Sequence, residues 1–218
     1  MLRRLLKRPP RTLGSVEAYS HWAASYPPHA HNPLMAAEQA AMLALLPPLE
    51  GLVVLDLAGG TGRYGLIARE RGAREVISVD NSRAMLRANP LPNRIEATSE
   101  AVPLAARSVD VVVCALALGH LPRLAASIAE IGRVLAPGGW ALISDIHPSV
   151  ALAGGKRTFV GDDGVTYAVE HYVHTVEDYR KAADTVGLRL DIARDVYAEG
   201  KAEPVAIVYA TRKANDGE

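Results

Sequence analysis

The spacing of apolar residues changes along the chain, from a helical period near the N-terminus to short apolar runs alternating with helical stretches beyond residue 50. The first part predicts a helix over 15–26, with Ser15 as its N-cap, and a helix over 33–46, with proline in its first turn after Asn32. We expect these helices, within residues 15–48, to form an N-terminal lid over a site in the following sheet.

The second part predicts strands and helices in alternation. Repeated strand-helix-strand units require parallel strands joined by right-handed crossovers, which indicates a doubly wound α/β sheet. The predicted strands are 52–57, 75–79, 94–97, 109–116 and 140–146, and the predicted helices between them are 63–71, 82–88 and 121–135.

The alternation is interrupted after the fifth strand. Residues 148–174 are predicted to form an insertion that acts as a lid over the acceptor. Within it, residues 151–164 are rich in glycine and charge, and residues 165–173 alternate like an edge strand. A helix over 175–186 follows, and the last two strands, 188–196 and 205–211, are joined by a connection too short for a crossover helix. This pair must be antiparallel. The expected fold is a mostly parallel, seven-stranded Rossmann-like sheet with an antiparallel last strand.

These elements predict a single domain over 15–212, preceded by a flexible basic arm over 1–14 and followed by a disordered tail over 213–218. The edge strand in the insertion could pair with a second copy, which makes a homodimer one expectation.

Composition narrows the class of partner. The 218 residues contain 24 basic and 24 acidic side chains, so there is no net field to attract nucleic acid or an anionic membrane. No apolar run is long enough for a membrane span, and the basic N-terminus lacks the apolar segment of a secretory signal, which indicates a cytoplasmic protein. The expected partner is a small molecule. The single cysteine, Cys114, lies in an apolar run and is expected to be buried.

A glycine-rich loop follows the first predicted strand. Gly60, Gly62 and Gly65 have the spacing of the dinucleotide fingerprint, but Asp56 lies four residues before them. Its negative charge would repel a pyrophosphate and would suit an ammonium group. S-adenosylmethionine carries an amine and an adenosine without phosphate, and Asp80, at the end of the second strand, is placed to accept hydrogen bonds from ribose hydroxyls. An NAD(P)-dependent oxidoreductase is the alternative enzyme, and a tight structural turn is the alternative without a ligand.

At this point the chain resembles the class I S-adenosylmethionine-dependent methyltransferases, in particular the small-molecule group of ubiquinone/menaquinone C-methyltransferases and malonyl-carrier-protein O-methyltransferases. The similar stretches are VLDLAGGTGRYG, VISVDNSRAML, SEAVPLAARSVDVVVCALALGHL and IGRVLAPGGWALISDIHP, and EAYSHWAASY is similar to the family's tyrosine-bearing N-terminal helix. The lack of an N/D-P-P-Y-type motif after the fourth strand disfavours the nucleic-acid methyltransferases.

The resemblance implies a set of cofactor-binding residues: Tyr19 and Tyr26 over the site, Asp56, Ala58, Gly59, Gly60 and Gly62 at the methionine moiety, Asp80 at the ribose, Asn81 and Met85 at the adenosine, Ser99 and Glu100 at the adenine edge, and Ala115 and Leu116 after the fourth strand. Two positions depart from the family pattern. Ala58 replaces the first glycine, and Thr98 stands where an acidic residue usually accepts from the adenine amine. A regulatory protein that binds S-adenosylmethionine without catalysis is therefore a further alternative.

Methyl transfer requires in-line placement of the nucleophile and exclusion of water, and some acceptors also require a base. His120 and His147 follow the fourth and fifth strands, where ligands bind in open α/β sheets, and are the candidate catalytic residues. His120 could instead begin a helix as a structural residue. The remaining histidines lack the spacing and the acidic or cysteine partners of a metal site, so no metal is expected. The predicted function is methyl transfer to oxygen or carbon of a small-molecule acceptor.

Overall fold

The computed structural model describes residues 10–161 and 163–216. Its helices are α1 Ser15–Trp22, α2 Pro33–Leu43, α3 Arg63–Glu70, α4 Arg83–Ala88, α5 Leu124–Val134, α6 Pro148–Leu152 and α7 Val176–Asp184, with 3₁₀ turns at Ala23–Ser25 and Leu118–His120. Its strands are β1 Arg11–Leu13, β2 Val53–Leu57, β3 Glu75–Asp80, β4 Asn93–Glu96, β5 Val109–Ala115, β6 Leu135–Ile146, β7 Thr158–Val160, β8 Thr166–Val169, β9 Leu188–Val196 and β10 Ala206–Lys213. No described helix is long and apolar enough to cross a membrane.

Seven strands form the central sheet in the order β4-β3-β2-β5-β6-β10-β9. The pairs among β4, β3, β2, β5 and β6 are parallel, and β10 is antiparallel to both of its neighbours. The predicted fold class is confirmed. The direction of winding reverses between β2 and β5, and a crevice opens there at the carboxyl ends of the strands, where ligands of doubly wound sheets bind.

The central strands are apolar because helices cover both faces of the sheet. All five residues of β2 are buried, and so are most of β5. The helix that precedes β2 begins as predicted, since Asn32 Oδ1 accepts a hydrogen bond from the Met35 amide at 2.9 Å. The prediction that Ser15 caps α1 is wrong. Gly14 takes the N-cap position, and no side chain accepts from the first turn.

The predicted flexible arm is wrong for residues 11–13. They form β1, which pairs in parallel with β8, and Leu13 is only 2% exposed because it packs in a small apolar cluster with Ala18, Phe159 and Val169. Residues 1–9 of the predicted arm lie outside the described residues. The insertion thus contributes β7 and β8 to a second sheet, which β1 completes in the order β1-β8-β7. The predicted edge strand, β8, is paired on both sides.

The predicted disordered tail is also wrong for its first residues. Lys213 ends β10, and its ammonium donates to the carbonyls of Gly132 and Leu135 at 2.6 Å each. Three residues later, Asp216 pairs with Arg107 at 3.0 Å. These contacts fix the chain end against the helix and strand that precede it. Residues 217–218 lie outside the described residues.

A buried polar cluster attaches α2 to the sheet. Glu38 is fully buried, and its carboxylate accepts from Arg63 Nη1 at 2.8 Å, from the Tyr64 hydroxyl at 2.9 Å and from the Ser144 hydroxyl at 2.6 Å. Arg63 and Tyr64 begin α3, directly after the glycine loop. The cluster therefore holds the second predicted lid helix against the loop that forms the candidate site.

Glu38→Ala should destabilise the protein by about 3 to 5 kcal/mol, because it leaves the buried Arg63 cation without its partner. Urea unfolding of the purified variant measures the change. The matched control is Glu17→Ala on α1, where the exposed pair with Arg11 should contribute less than about 1 kcal/mol. Equal effects of the two substitutions would contradict the proposed role of the cluster.

Candidate functional site

A cavity lies at the switch point, at the carboxyl ends of β2, β3 and β5. Most of the residues predicted from the sequence line it: Tyr19, Tyr26, Asp56, Ala58, Gly59, Gly60, Asp80, Asn81, Met85, Ser99, Ala115, Leu116 and His120. Gly62, Glu100 and His147 do not line it. The sequence analysis missed Thr61, Arg63, Tyr64 and Arg157, which also contribute to its wall.

The glycine loop is shaped by left-handed backbone and by close contacts. Ala58 and Gly60 both have φ of 54°. A Cβ added at Gly59 would lie 2.5 Å from Asp56 Oδ2 and from Ser78 Oγ, so only glycine fits there. Ala58 holds the same left-handed conformation with a side chain, which costs conformational energy that the glycine usual in the family avoids.

Gly62 serves the loop without lining the cavity. It is the N-cap of α3 with φ of 93°, and an added Cβ would lie 2.6 Å from the Asn89 side-chain oxygen. Asn89 in turn donates to the Gly60 carbonyl at 3.1 Å. Gly62, predicted to bind the cofactor, therefore packs the loop against Asn89 and does not line the cavity.

Two carboxylates, Asp56 and Asp80, are buried at the ends of β2 and β3. Asp56 Oδ2 accepts from the Gly65 amide at 2.9 Å, while Asp80 accepts from the amides of Gly60 at 2.9 Å and Ser82 at 2.7 Å. Burial raises the pKa of Asp56 to about 7, and burial also raises the pKa of Asp80. The cavity thus favours a ligand that brings a cation or hydroxyl donors, and it disfavours a pyrophosphate.

At the predicted adenine edge, only one of two residues faces the cavity. Ser99 lines it and shares a 2.8 Å hydrogen bond with the Ser127 hydroxyl. Glu100 is half-buried outside it, with Arg123 Nε 4.0 Å from its carboxylate. The prediction that both residues meet the adenine is therefore supported by geometry for Ser99 alone.

His120 joins three elements at the mouth of the cavity. Its Nε2 lies 3.1 Å from the Tyr19 hydroxyl on α1, and its Nδ1 lies 2.7 Å from the carbonyl oxygen of Glu170 in the insertion. Arg157, also in the insertion, has Nη1 3.4 Å from Nε2 and Nη2 3.3 Å from the Tyr26 hydroxyl. The first lid helix and the insertion therefore meet over the cavity through one histidine and one arginine.

The hydrogen bonds of His120 define its tautomer. A carbonyl oxygen can only accept, so Nδ1 carries the proton and Nε2 is the acceptor. Burial and, to a smaller extent, the nearby Arg157 cation lower the pKa of His120 to about 3. The imidazole is neutral at ordinary pH, and its conjugate acid is strong.

His147 lies away from the cavity, contrary to the sequence prediction. It is the N-cap of α6: its Nδ1 accepts from the Ser149 amide at 3.2 Å, and its Nε2 lies 3.4 Å from Asp195. Both ring nitrogens serve this local structure. Within the described ranges, no group of three histidine, cysteine, aspartate or glutamate side chains is arranged to hold a metal ion.

Comparisons with known proteins agree with this site. Residues 55–143 match the family model described as a methyltransferase domain. The chain is 36% identical over 112 residues to a ubiquinone/menaquinone biosynthesis C-methyltransferase of Syntrophotalea carbinolica, covering 47% of each chain. It is 34% identical over 113 residues to a malonyl-[acyl-carrier protein] O-methyltransferase of Enterobacter lignolyticus, covering 50% of this chain and 45% of the relative.

A solved structure of an S-adenosylmethionine-dependent methyltransferase from Mesorhizobium loti superposes with a TM-score of 0.70 at 22% identity, covering 84% of this chain and all of the other. The matched segments span about half or less of the length of both curated relatives. These matches support the assignment of residues 55–143 to a class I S-adenosylmethionine-dependent methyltransferase domain. The cofactor of this class of enzymes is S-adenosyl-L-methionine, as the loop and its carboxylates predicted.

We expect the ¹⁵N chemical shifts of the His120 ring to stay those of a neutral, Nδ1-protonated imidazole from pH 5 to 8. The assignment is made by comparison with His120→Gln. Because the folded-state pKa lies below the unfolded value of 6.5, the contribution of His120 to stability is present above pH 6.5 and is lost as the pH falls toward about 3. A ring that titrates near pH 6.5 would contradict this assignment.

Proposed function

We propose that this protein transfers the methyl group of S-adenosylmethionine to oxygen or carbon of a small-molecule acceptor by in-line displacement. The observation that carries the proposal is the pair of buried carboxylates, Asp56 and Asp80, on either side of the glycine loop at the switch point of the sheet. The equal numbers of acidic and basic residues favour a small acceptor over nucleic acid.

The residues present fit this cofactor. Gly59 packs the loop against Asp56 and Ser78, where a Cβ would not fit, and Gly60 lines the cavity with open space where a Cβ would be. Asp56 suits the cofactor's amine, and Asp80 keeps lone pairs for ribose hydroxyls beside the two amide bonds it already accepts. Asn81 and Met85 line the wall where the adenosine would lie.

When bound, S-adenosylmethionine supplies a methyl group on a positively charged sulfur. The protein's own part is placement and exclusion of water. Tyr19 and Tyr26 pack edge to face with ring centroids 6.1 Å apart and line the cavity from the lid side. Arg157 ties the Tyr26 hydroxyl to the carbonyl of Leu116, at 3.3 and 3.2 Å, which closes the cavity next to the end of β5.

The two alternatives make different demands on the site. An NAD(P)-dependent oxidoreductase would place a pyrophosphate on this loop beside the Asp56 carboxylate, which is an unfavourable contact. A regulatory protein would bind S-adenosylmethionine without turnover, and Ala58 and Thr98 are the departures that would accompany such a loss. Methyl transfer by the purified protein would exclude a purely regulatory role.

Calorimetric titration should show binding of S-adenosylmethionine and S-adenosylhomocysteine but not of NAD. Asp80→Asn should weaken both affinities by about ten- to a hundredfold, since hydrogen bonds to a charged group contribute about 1.5 to 3 kcal/mol. The control is Asp184→Asn at the exposed end of α7, which should bind as the wild type does. Binding of NAD alone would overturn the proposal.

A second experiment concerns Asp56, whose pKa of about 7 lies above its usual value of 3.8 because of burial. Its raised pKa stabilises the free protein at low pH, and this contribution is lost as the pH rises through about 7. A bound amine favours the ionised form. The ratio of wild-type to Asp56→Asn affinity for S-adenosylhomocysteine should therefore rise about tenfold from pH 6 to 8. The ratio cancels the titration of the ligand's own amine, and a constant ratio would show that Asp56 does not meet the amine.

A further inference from the structure

A second cavity adjoins the first on the side of the insertion. It has a volume of about 390 Å³, and it shares two wall residues, Leu116 and Arg157, with the cofactor cavity. The apolar part of its wall is formed by Trp22, Leu34, Met35, Ile146, Val150 and Ala151. Polar and charged side chains also line it, namely His31, Asn32, Lys156, Thr158 and His171. A molecule in this cavity would reach the end of β5 with its body in apolar surroundings.

Arg157 stands at the junction between the two cavities, and its charge interacts electrostatically with the Asp145 carboxylate without a direct ion pair. Its guanidinium donates to the Leu116 carbonyl and to the Tyr26 hydroxyl, and it lies 5.5 Å and 5.6 Å from the ring centres of Tyr19 and Trp22. No carboxylate of residues 10–161 or 163–216 forms an ion pair with it. A guanidinium stays charged at all working pH values, so the junction holds a full positive charge.

Bound S-adenosylmethionine would bring a second positive charge, its sulfonium, into the first cavity, whose wall includes Arg157. A sulfonium in the first cavity and the guanidinium at its boundary would repel each other where little water screens them. The buried Asp145 carboxylate, which interacts electrostatically with Arg157, also accepts hydrogen bonds from the Tyr179 hydroxyl at 2.9 Å and the Ile146 amide at 2.8 Å. An anion bound between the two cations removes the repulsion, and a planar carboxylate matches the fork of a guanidinium.

The side chains around the junction also limit the chemistry. His120 Nε2 already accepts from the lid, and burial lowers the pKa of His120 to about 3, so its imidazole is a weak base. Burial raises the pKa of the Tyr19 hydroxyl well above its usual value. A phenol or a carbon acid needs a base to lose its proton, whereas a carboxylate is already ionised.

We propose that the acceptor is a carboxylate with an apolar body, that the body occupies the second cavity, and that Arg157 holds the carboxylate at the junction for methylation to a methyl ester. This inference rests on the proposed function. A lone pair of one carboxylate oxygen forms the new O–C bond as the C–S bond breaks, and the bonding electrons go to sulfur. One negative and one positive charge disappear, and no proton is released. A site with little water favours such a step.

The first test is binding to the protein saturated with S-adenosylhomocysteine. Two matched pairs serve as probes: octanoate with octanamide, and 3-phenylpropanoate with its amide. We expect the acid of at least one pair to bind at least tenfold more tightly than its amide. This preference should disappear in Arg157→Gln and persist in Arg194→Gln, an exposed arginine that lines neither cavity. If the wild-type protein bound the acid and the amide equally in both pairs, the inference would be overturned by that result alone.

The second test follows the transferred methyl group. The protein is incubated with methyl-labelled S-adenosylmethionine and the acid that binds, and the product is treated with alkali. A methyl ester releases volatile labelled methanol, and the reaction should release no proton in weakly buffered solution. Label in an alkali-stable product would overturn the inference.

The two proposals fail in distinguishable ways. If the protein bound neither S-adenosylmethionine nor its demethylated product, the proposed function itself would be wrong. If it bound both and methylated a phenol without discriminating acids from amides, the proposed function would hold and only the carboxylate inference would be wrong.

Discussion

The burial of two carboxylates at the ends of neighbouring parallel strands is the constraint on which the candidate site depends. Asp56 and Asp80 lose solvation without gaining a cationic partner that fully offsets the loss, and burial raises both pKa values. Backbone amides of the glycine loop and of the turn before α4 supply their hydrogen bonds. The loop is therefore shaped by the two acids, and the space between them is prepared for a ligand with an amine and hydroxyl groups.

The elements outside the central sheet give this space its walls. Glu38 fixes α2 to the residues that follow the loop, and β1 fixes the segment before α1 to the insertion. Because α1 and the insertion are tied to each other, the Tyr19 and Tyr26 side of the cavity and the Arg157 side form one structure. The cofactor cavity and the second cavity share a boundary for the same reason.

The periodic parts of the chain were predictable, and so was much of the site. Strands such as β2 and β5 follow from apolar runs. The positions of Asp56 and Asp80 follow from the rule that ligands bind at the carboxyl ends of parallel strands. Gly62 and His147 stand in the same sequence motifs as residues that line the cavity, but tertiary packing directs them elsewhere. Gly62 packs against Asn89, and His147 caps α6.

Other features depended on tertiary contacts that leave no local pattern. Arg157 follows Lys156 in a glycine-rich segment, and nothing in the sequence distinguishes the arginine that turns inward from the lysine that remains exposed. The pairing of β1 with β8 joins segments more than 150 residues apart, and its first strand has only three residues. The order of residues 213–216 depends on contacts with the carbonyls that close α5 and with Arg107.

The most direct test of the central claim is a crystal structure of the protein with S-adenosylhomocysteine. The account predicts the ligand's amine within hydrogen-bond distance of the Asp56 carboxylate, its ribose hydroxyls on Asp80 and its sulfur facing the junction at Arg157. A ligand bound with its carboxylate, rather than its amine, toward Asp56, or with its ribose away from Asp80, would contradict the account.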